Sequence, residues 1–117
     1  MDIQAAASRL SALAHPGRLG IFRLLVAAGP EGLAAGEIAR RLEIIPNTLS
    51  AALNILSHAD LVRSQRSGRF VVYAVNYPAM SDLMAFLAAD CCGGAAEICA
   101  PLSAVLDRVA MCEMETV

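Results

Sequence analysis

Residues 37–75, EIARRLEIIPNTLSAALNILSHADLVRSQRSGRFVVYAV, decide the fold. The first part predicts a short helix over Glu37–Leu42 with Ile38, Ala39 and Leu42 turned inward. After Glu43-Ile44-Ile45, Pro46 opens a second helix, because a first-turn residue can dispense with its N–H. Leu49, Leu53 and Leu56 recur there at spacings of four and three, so they line one face. The opposite face carries Asn47, Ser50, Ala51, Asn54 and His58, side chains short, polar and uncharged enough to approach base edges closely. The period then changes. Leu61–Gln65 and Arg69–Val75 are β-branched or alternating runs joined by Arg66-Ser67-Gly68, which predicts a hairpin with Gly68 at a turn position.

Working outward, Ile3–Ala14 places Ile3, Ala6, Ala7, Leu10, Leu13 and Ala14 on one face of an amphipathic helix. His15-Pro16 breaks it, since the residue before proline is pushed out of the α region, and Pro16 suits the first turn of the next helix. Arg18–Ala28 is the most apolar helix and the expected centre of the core, ended by Gly29-Pro30. Beyond the hairpin, Tyr77–Ala89 returns to helix with a stripe of Met80, Leu83, Met84 and Leu87. Cys91-Cys92-Gly93-Gly94 ends that stretch, and Pro101–Met111 reads as a last short helix. The expected fold class is mainly α with a two-stranded β-hairpin, in winged helix-turn-helix order.

A chain of 117 residues, 57% hydrophobic and 17% charged, is one globular domain in size and has no disordered character. No apolar run reaches the roughly 18 residues that span a bilayer, and the N-terminus lacks a signal-peptide pattern, so a soluble cytoplasmic protein is expected. The net charge of -2 argues against a nucleic-acid partner until it is divided along the chain. All nine basic residues are arginine. Residues 1–81 hold eight of them against Asp2, Glu31, Glu37, Glu43 and Asp60, a surplus of three positive charges. Residues 82–117 hold Arg108 against six carboxylates, a surplus of five negative charges. A mildly basic body carries an acidic tail.

The four cysteines, Cys91, Cys92, Cys99 and Cys112, all fall in the last 27 residues. In a reducing compartment, clustered thiols point to ligands or to a redox switch rather than to disulfides. The plain alternative is that they are buried small hydrophobes, which a vicinal pair on one helix cannot all be.

Leu13-Ala14-His15-Pro16-Gly17-Arg18-Leu19-Gly20-Ile21-Phe22-Arg23-Leu24-Leu25, Glu37-Ile38-Ala39, Leu49-Ser50, Leu53, Leu56, Ala59-Asp60-Leu61-Val62 and the hairpin Arg66–Tyr73 together resemble the ArsR/SmtB bacterial repressors over residues 8–77. The resemblance implies a homodimer paired through its first and penultimate helices, with recognition helices in successive major grooves of an inverted-repeat operator and wings on the flanking backbone. It also implies that a toxic metal or metalloid releases the operator. Many members carry a Cys-x-Cys motif on the helix before the recognition helix, whereas this chain has Gly32-Leu33-Ala34-Ala35-Gly36-Glu37 there. The C-terminal Cys-Cys-Gly-Gly with Cys99 looks instead like the relocated site of certain arsenite-responsive members.

Trivalent arsenic or antimony exchanges hydroxyls for three sulfurs in a trigonal pyramid, and Cys91, Cys92 and Cys99 meet that demand. Neighbouring helical residues diverge by about 100°, so the vicinal pair shares one atom only where the helix unwinds, which Gly93-Gly94 permits. Cys112 is a fourth ligand or a bystander, and Asp90, Glu97 and His58 read as solvated rather than as hard-metal ligands. For DNA, Asn47, Ser50 and Asn54 are the base-reading candidates, and Thr48 caps the helix or meets phosphate. Arg63, Arg66 and Arg69, with Gln65 beside them, supply phosphate and minor-groove contacts. Arg40 and Arg41 meet phosphate or are ordinary surface charge.

The expected organisation is a winged helix-turn-helix DNA-binding and dimerisation domain over 1–90 and a cysteine-rich effector tail over 91–117. The leading reading is an arsenite-released repressor of arsenic resistance genes, bound to double-stranded operator DNA and no membrane. Its alternative is a thiol redox or divalent-metal sensor of the same fold. A small thiol enzyme is disfavoured by the lack of a Cys-x-x-Cys, a βαβ pattern and a Gly-rich phosphate loop.

Overall fold

In the computed structural model of the chain, residues 1–88 are described. Their elements run α1 (Ile3–Leu13), α2 (Pro16–Ala28), β1 (Leu33–Ala34), α3 (Ala35–Leu42), α4 (Pro46–His58), β2 (Val62–Ser67), β3 (Phe70–Val75) and α5 (Tyr77–Ala88). Met1–Leu83 form one compact unit, and a second begins at Met84 within α5. The cysteine site expected at Cys91, Cys92 and Cys99 lies outside the described residues, as does the helix expected over 101–111.

The helix boundaries follow local chemistry. Asp2 accepts the Ala5 N–H at 2.7 Å and starts α1. His15 is the N-cap of α2, its Nδ1 accepting the Gly17 N–H at 3.1 Å, with Pro16 at the first helical position. Arg18 reaches back from α2 to donate to the Ala12 carbonyl at 2.6 Å, placing a cation at the carbonyl end of α1. Helix α3 starts at Ala35, two residues before the expected Glu37.

Helix α4 ends in a Schellman turn: the Leu61 N–H donates to the Leu56 carbonyl at 3.0 Å and the Asp60 N–H to Ser57 at 3.0 Å. This turn puts Asp60 at φ 62, the left-handed region usually given to glycine. The Leu61 carbonyl in turn accepts the Asn76 N–H at 2.9 Å, just past the end of β3. One fully buried residue thus ties the end of α4 to both ends of the hairpin.

The hairpin is longer and its turn tighter than the sequence reading. Ser67 pairs with Phe70, so Arg66 and Ser67 belong to β2 and the loop is Gly68-Arg69. Gly68 at φ +60 is the first of the two turn residues, the position a type II′ turn gives to glycine. The expected two-stranded sheet has three strands, in the antiparallel order β1-β3-β2. Leu33 pairs with Tyr73 and Ala34 with Val72. The approach is close because Gly32, at φ +70, has no Cβ to strike the Tyr73 carbonyl.

Ile21, Leu25, Ile38, Leu53, Leu56, Leu61 and Val75 are fully buried and join α2, α3, α4 and the sheet in one cluster. Helix α2 supplies its centre, as its composition predicts. Helix α1 departs from expectation: Ala6 and Ala12 are buried, while Ile3 is 78% exposed and Ala7 and Leu10 are also exposed. A period reports which residues share a face, and here most of that face has no partner within the compact unit.

Candidate nucleic-acid interface

Leu49, Leu53 and Leu56 anchor α4 in the core, and this fixes what the helix shows to solvent. Asn47, Thr48, Ser50, Ala51 and Asn54 are all exposed, so the structure brings the four polar candidates of α4 onto one accessible surface. Thr48 does not cap the helix; the N-cap is Ile45, without a side-chain hydrogen bond. His58 is exposed at the other end, its Nδ1 donating to the Asn54 carbonyl at 2.7 Å. It also lines a groove of about 400 Å³ with Ser8, Ser11, Ala12, Arg18, Ile55 and Ala59. Among the described residues no group of three or more His, Cys, Asp and Glu is placed to hold a metal ion, and Asp90 and Glu97 lie outside them.

On the hairpin, Arg63, Gln65, Arg66 and Arg69 are exposed. Directly opposed residues in an antiparallel pair point to the same side. Val62 opposite Val75, both buried, defines the inner side, which continues outward through Ser64 with Tyr73 and Arg66 with Val71. Arg63 with Ala74 and Gln65 with Val72 take the other side. The wing therefore presents Arg63 and Gln65 on one side, Arg66 on the other and Arg69 at the tip. Phe70 beside the tip is 64% exposed, an aromatic side chain that no periodicity marks in the sequence.

The arginines divide by what already holds them. Arg9 donates to the Ala79 carbonyl at 2.9 Å and Arg18 to Ala12, so both brace helix ends. Arg40 and Arg41 converge on Glu37, with Arg41 Nε 2.8 Å and Arg40 Nε 3.1 Å from its carboxylate oxygens. Hydrogen bonds from Arg40 and then Arg41 hold the Glu37 carboxyl down at about 2. The two guanidinium groups share this one carboxylate, so α3 keeps a single net positive charge on exposed side chains held in a local ion-pair set. Among the described residues, the ion pairs and hydrogen bonds leave Arg23, Arg63, Arg66 and Arg69 without such a partner, three of the four on or beside the hairpin strands. A short, uncharged polar helix face and a wing with uncommitted guanidinium groups are the kinds of group that base-edge and phosphate contacts require.

Comparison with known proteins agrees with this geometry. The model of a helix-turn-helix domain family matches residues 13–65. The chain is 32% identical over 71 residues to the transcriptional repressor SdpR of Bacillus subtilis, covering 61% of this chain and 76% of that protein. It is 31% identical over 84 residues to the HTH-type transcriptional regulator YgaV of Escherichia coli, covering 72% of this chain and 83% of that one. Among solved structures, the homodimeric winged helix-turn-helix DNA-binding domain Mb0332 of Mycobacterium bovis, described as a possible ArsR-family transcriptional regulator, superposes with a TM-score of 0.61. That match is 29% identical and covers 75% of this chain and 81% of that one.

Proposed function

Because the chain belongs to the ArsR family of winged helix-turn-helix transcriptional regulators, DNA-binding proteins rather than enzymes, we propose that it is a repressor that binds an inverted-repeat operator as a homodimer and lets go when trivalent arsenic or antimony binds Cys91, Cys92 and Cys99. The observation that carries the DNA half is the set of uncommitted arginines on the wing beside the uncharged face of α4. Helix α4 enters the major groove and the wing lies on flanking backbone, with Arg66 and Arg63 directed to opposite sides of the ribbon. Dimerisation is supported by the unpartnered apolar side chains of α1, Ile3, Ala7 and Leu10, whose burial against a second copy removes them from water. The relative SdpR, named a repressor, supports the direction of regulation.

The effector half rests on the sequence. Three thiols within nine residues, a vicinal pair followed by Gly93-Gly94, suit a soft centre that takes three sulfurs. The described part of α5 runs to Ala88, three positions before Cys91 in sequence, so a ligand held by these thiols would act on α5 from its C-terminal side. Effector and operator are then reciprocally coupled: arsenite binds the free dimer more tightly than the DNA-bound one, by the factor that it weakens DNA binding.

A DNA-binding titration under reducing conditions, with and without arsenite, tests the whole reading. Cys91→Ser, Cys92→Ser and Cys99→Ser are each expected to keep apo DNA binding and abolish release, with Cys112→Ser responding normally. Oxidant-driven release without arsenite would move the assignment to a thiol redox sensor, and release by zinc or cadmium alone to a divalent-metal sensor.

A further inference from the structure

We propose that Ile45 is a base-reading residue whose side chain packs on the 5-methyl group of a thymine in the major groove, an inference that rests on the DNA-binding reading above. Ile44 and Ile45 are adjacent and chemically identical, yet the turn between α3 and α4 treats them oppositely. Ile44 packs against the core, while Ile45 is 70% exposed. A lone exposed aliphatic residue is ordinary on a protein surface. Here it coincides with a second local cost, because Ile45 is also the N-cap of α4 and makes no side-chain cap bond. Helices favour Ser, Thr, Asp or Asn at that position, since an oxygen there satisfies an otherwise unpaired N–H. The chain thus keeps an aliphatic side chain in water where a hydroxyl would stabilise the helix.

The location says what such a group can meet. Ile45 adjoins exposed Asn47, Thr48 and Ser50 at the N-terminal end of the helix, the end that contacts base edges in helix-turn-helix complexes. Those neighbours are hydrogen-bonding groups suited to polar edges. The only apolar feature of the major-groove edge is the thymine methyl, and an aliphatic side chain recognises it by excluding water. Ala51, exposed on the same helix, is the internal competitor for this contact.

Replacing thymine by deoxyuridine removes the methyl and leaves every hydrogen-bonding group in place. The full chain is used to select a duplex from a randomised library, and each thymine of that duplex is replaced singly. Affinities are measured for the natural chain, Ile45→Ala and Ile45→Ser, with Ala51→Gly as comparison. The expected result is a thymine whose replacement weakens the natural chain about fourfold, the equivalent of one buried methyl group, and leaves both Ile45 variants unaffected. Ala51→Gly retains that sensitivity. Ile45→Ser is also expected to unfold at or above the temperature of the natural chain, which separates loss of reading from loss of fold. A deoxyuridine penalty that persists in both Ile45 variants, or a selected duplex with no sensitive thymine, overturns the assignment while DNA binding stands. Enrichment of no duplex at all overturns the DNA-binding reading and this inference with it.

Discussion

Replacing Arg66 by alanine removes a cation that is exposed and has no ion-pair partner among the described residues. If each protomer of a dimer loses one phosphate contact, two are lost per complex. Each contact contributes about 0.9 to the slope of log affinity against log salt, so the slope falls in magnitude by about 1.8. From about 50 to about 200 mM salt, a fourfold range, that difference amounts to about twelvefold in affinity. The deficit of Arg66→Ala relative to the natural chain is therefore about twelvefold smaller at the higher salt. Fluorescence anisotropy with one labelled duplex at several salt concentrations reads both slopes. Arg40→Ala is the control: its guanidinium already serves Glu37, so its slope stays close to that of the natural chain. An Arg66→Ala slope equal to that of the natural chain, or an equal fall in both variants, would refute the division of arginines into committed and free groups.

Gly32→Ala and Gly68→Ala separate backbone strain from collision. Both positions have positive φ, but a Cβ at Gly68 meets open space, whereas at Gly32 it lies 2.2 Å from the Tyr73 carbonyl oxygen. Urea denaturation is expected to show a loss of about 1–2 kcal/mol at Gly68 and about 2–5 kcal/mol at Gly32, and equal losses would contradict the close β1–β3 approach. Asp60→Gly relieves the left-handed strain of a non-glycine residue and is expected to raise stability by up to about 1 kcal/mol; a lower urea midpoint would count against it. Glu37 titrates at about 2 when folded against an ordinary 4.5, so its stabilising contribution is complete above pH 4.5 and is lost as pH falls through about 2. The stability difference between the natural chain and Glu37→Gln should accordingly be flat above pH 5 and vanish toward pH 2, with the carboxyl resonance of Glu37 moving at about pH 2.

The sequence discloses elements whose faces are set by repetition. Leu49, Leu53 and Leu56 identify the buried side of α4 and, by subtraction, its polar side. Glu37 with Arg40 and Arg41, at helical spacings of three and four, is equally legible as a local ion-pair set. Strand β1 was missed because two residues carry no period; its pairing depends on where Gly32 lets the chain pass Tyr73. Glu43 and Asp60 were missed as left-handed turn residues because neither is glycine or asparagine, the usual markers of such a turn. The different fates of Ile44 and Ile45 are invisible to hydropathy, since backbone direction alone decides which one enters the core.

The double tie at Leu61 has a mechanical consequence. Its N–H is held by the last turn of α4 and its carbonyl by the residue after β3, so helix and wing are anchored on one residue. A force on the hairpin tip is delivered at the C-terminal end of α4, about six strand residues away. Lengthening the Gly68-Arg69 loop extends the lever without moving that end, whereas an insertion at Ala59-Asp60 cuts it loose. A fluorophore at the tip therefore reports on the wing and, through Leu61, on the end of α4 as one unit.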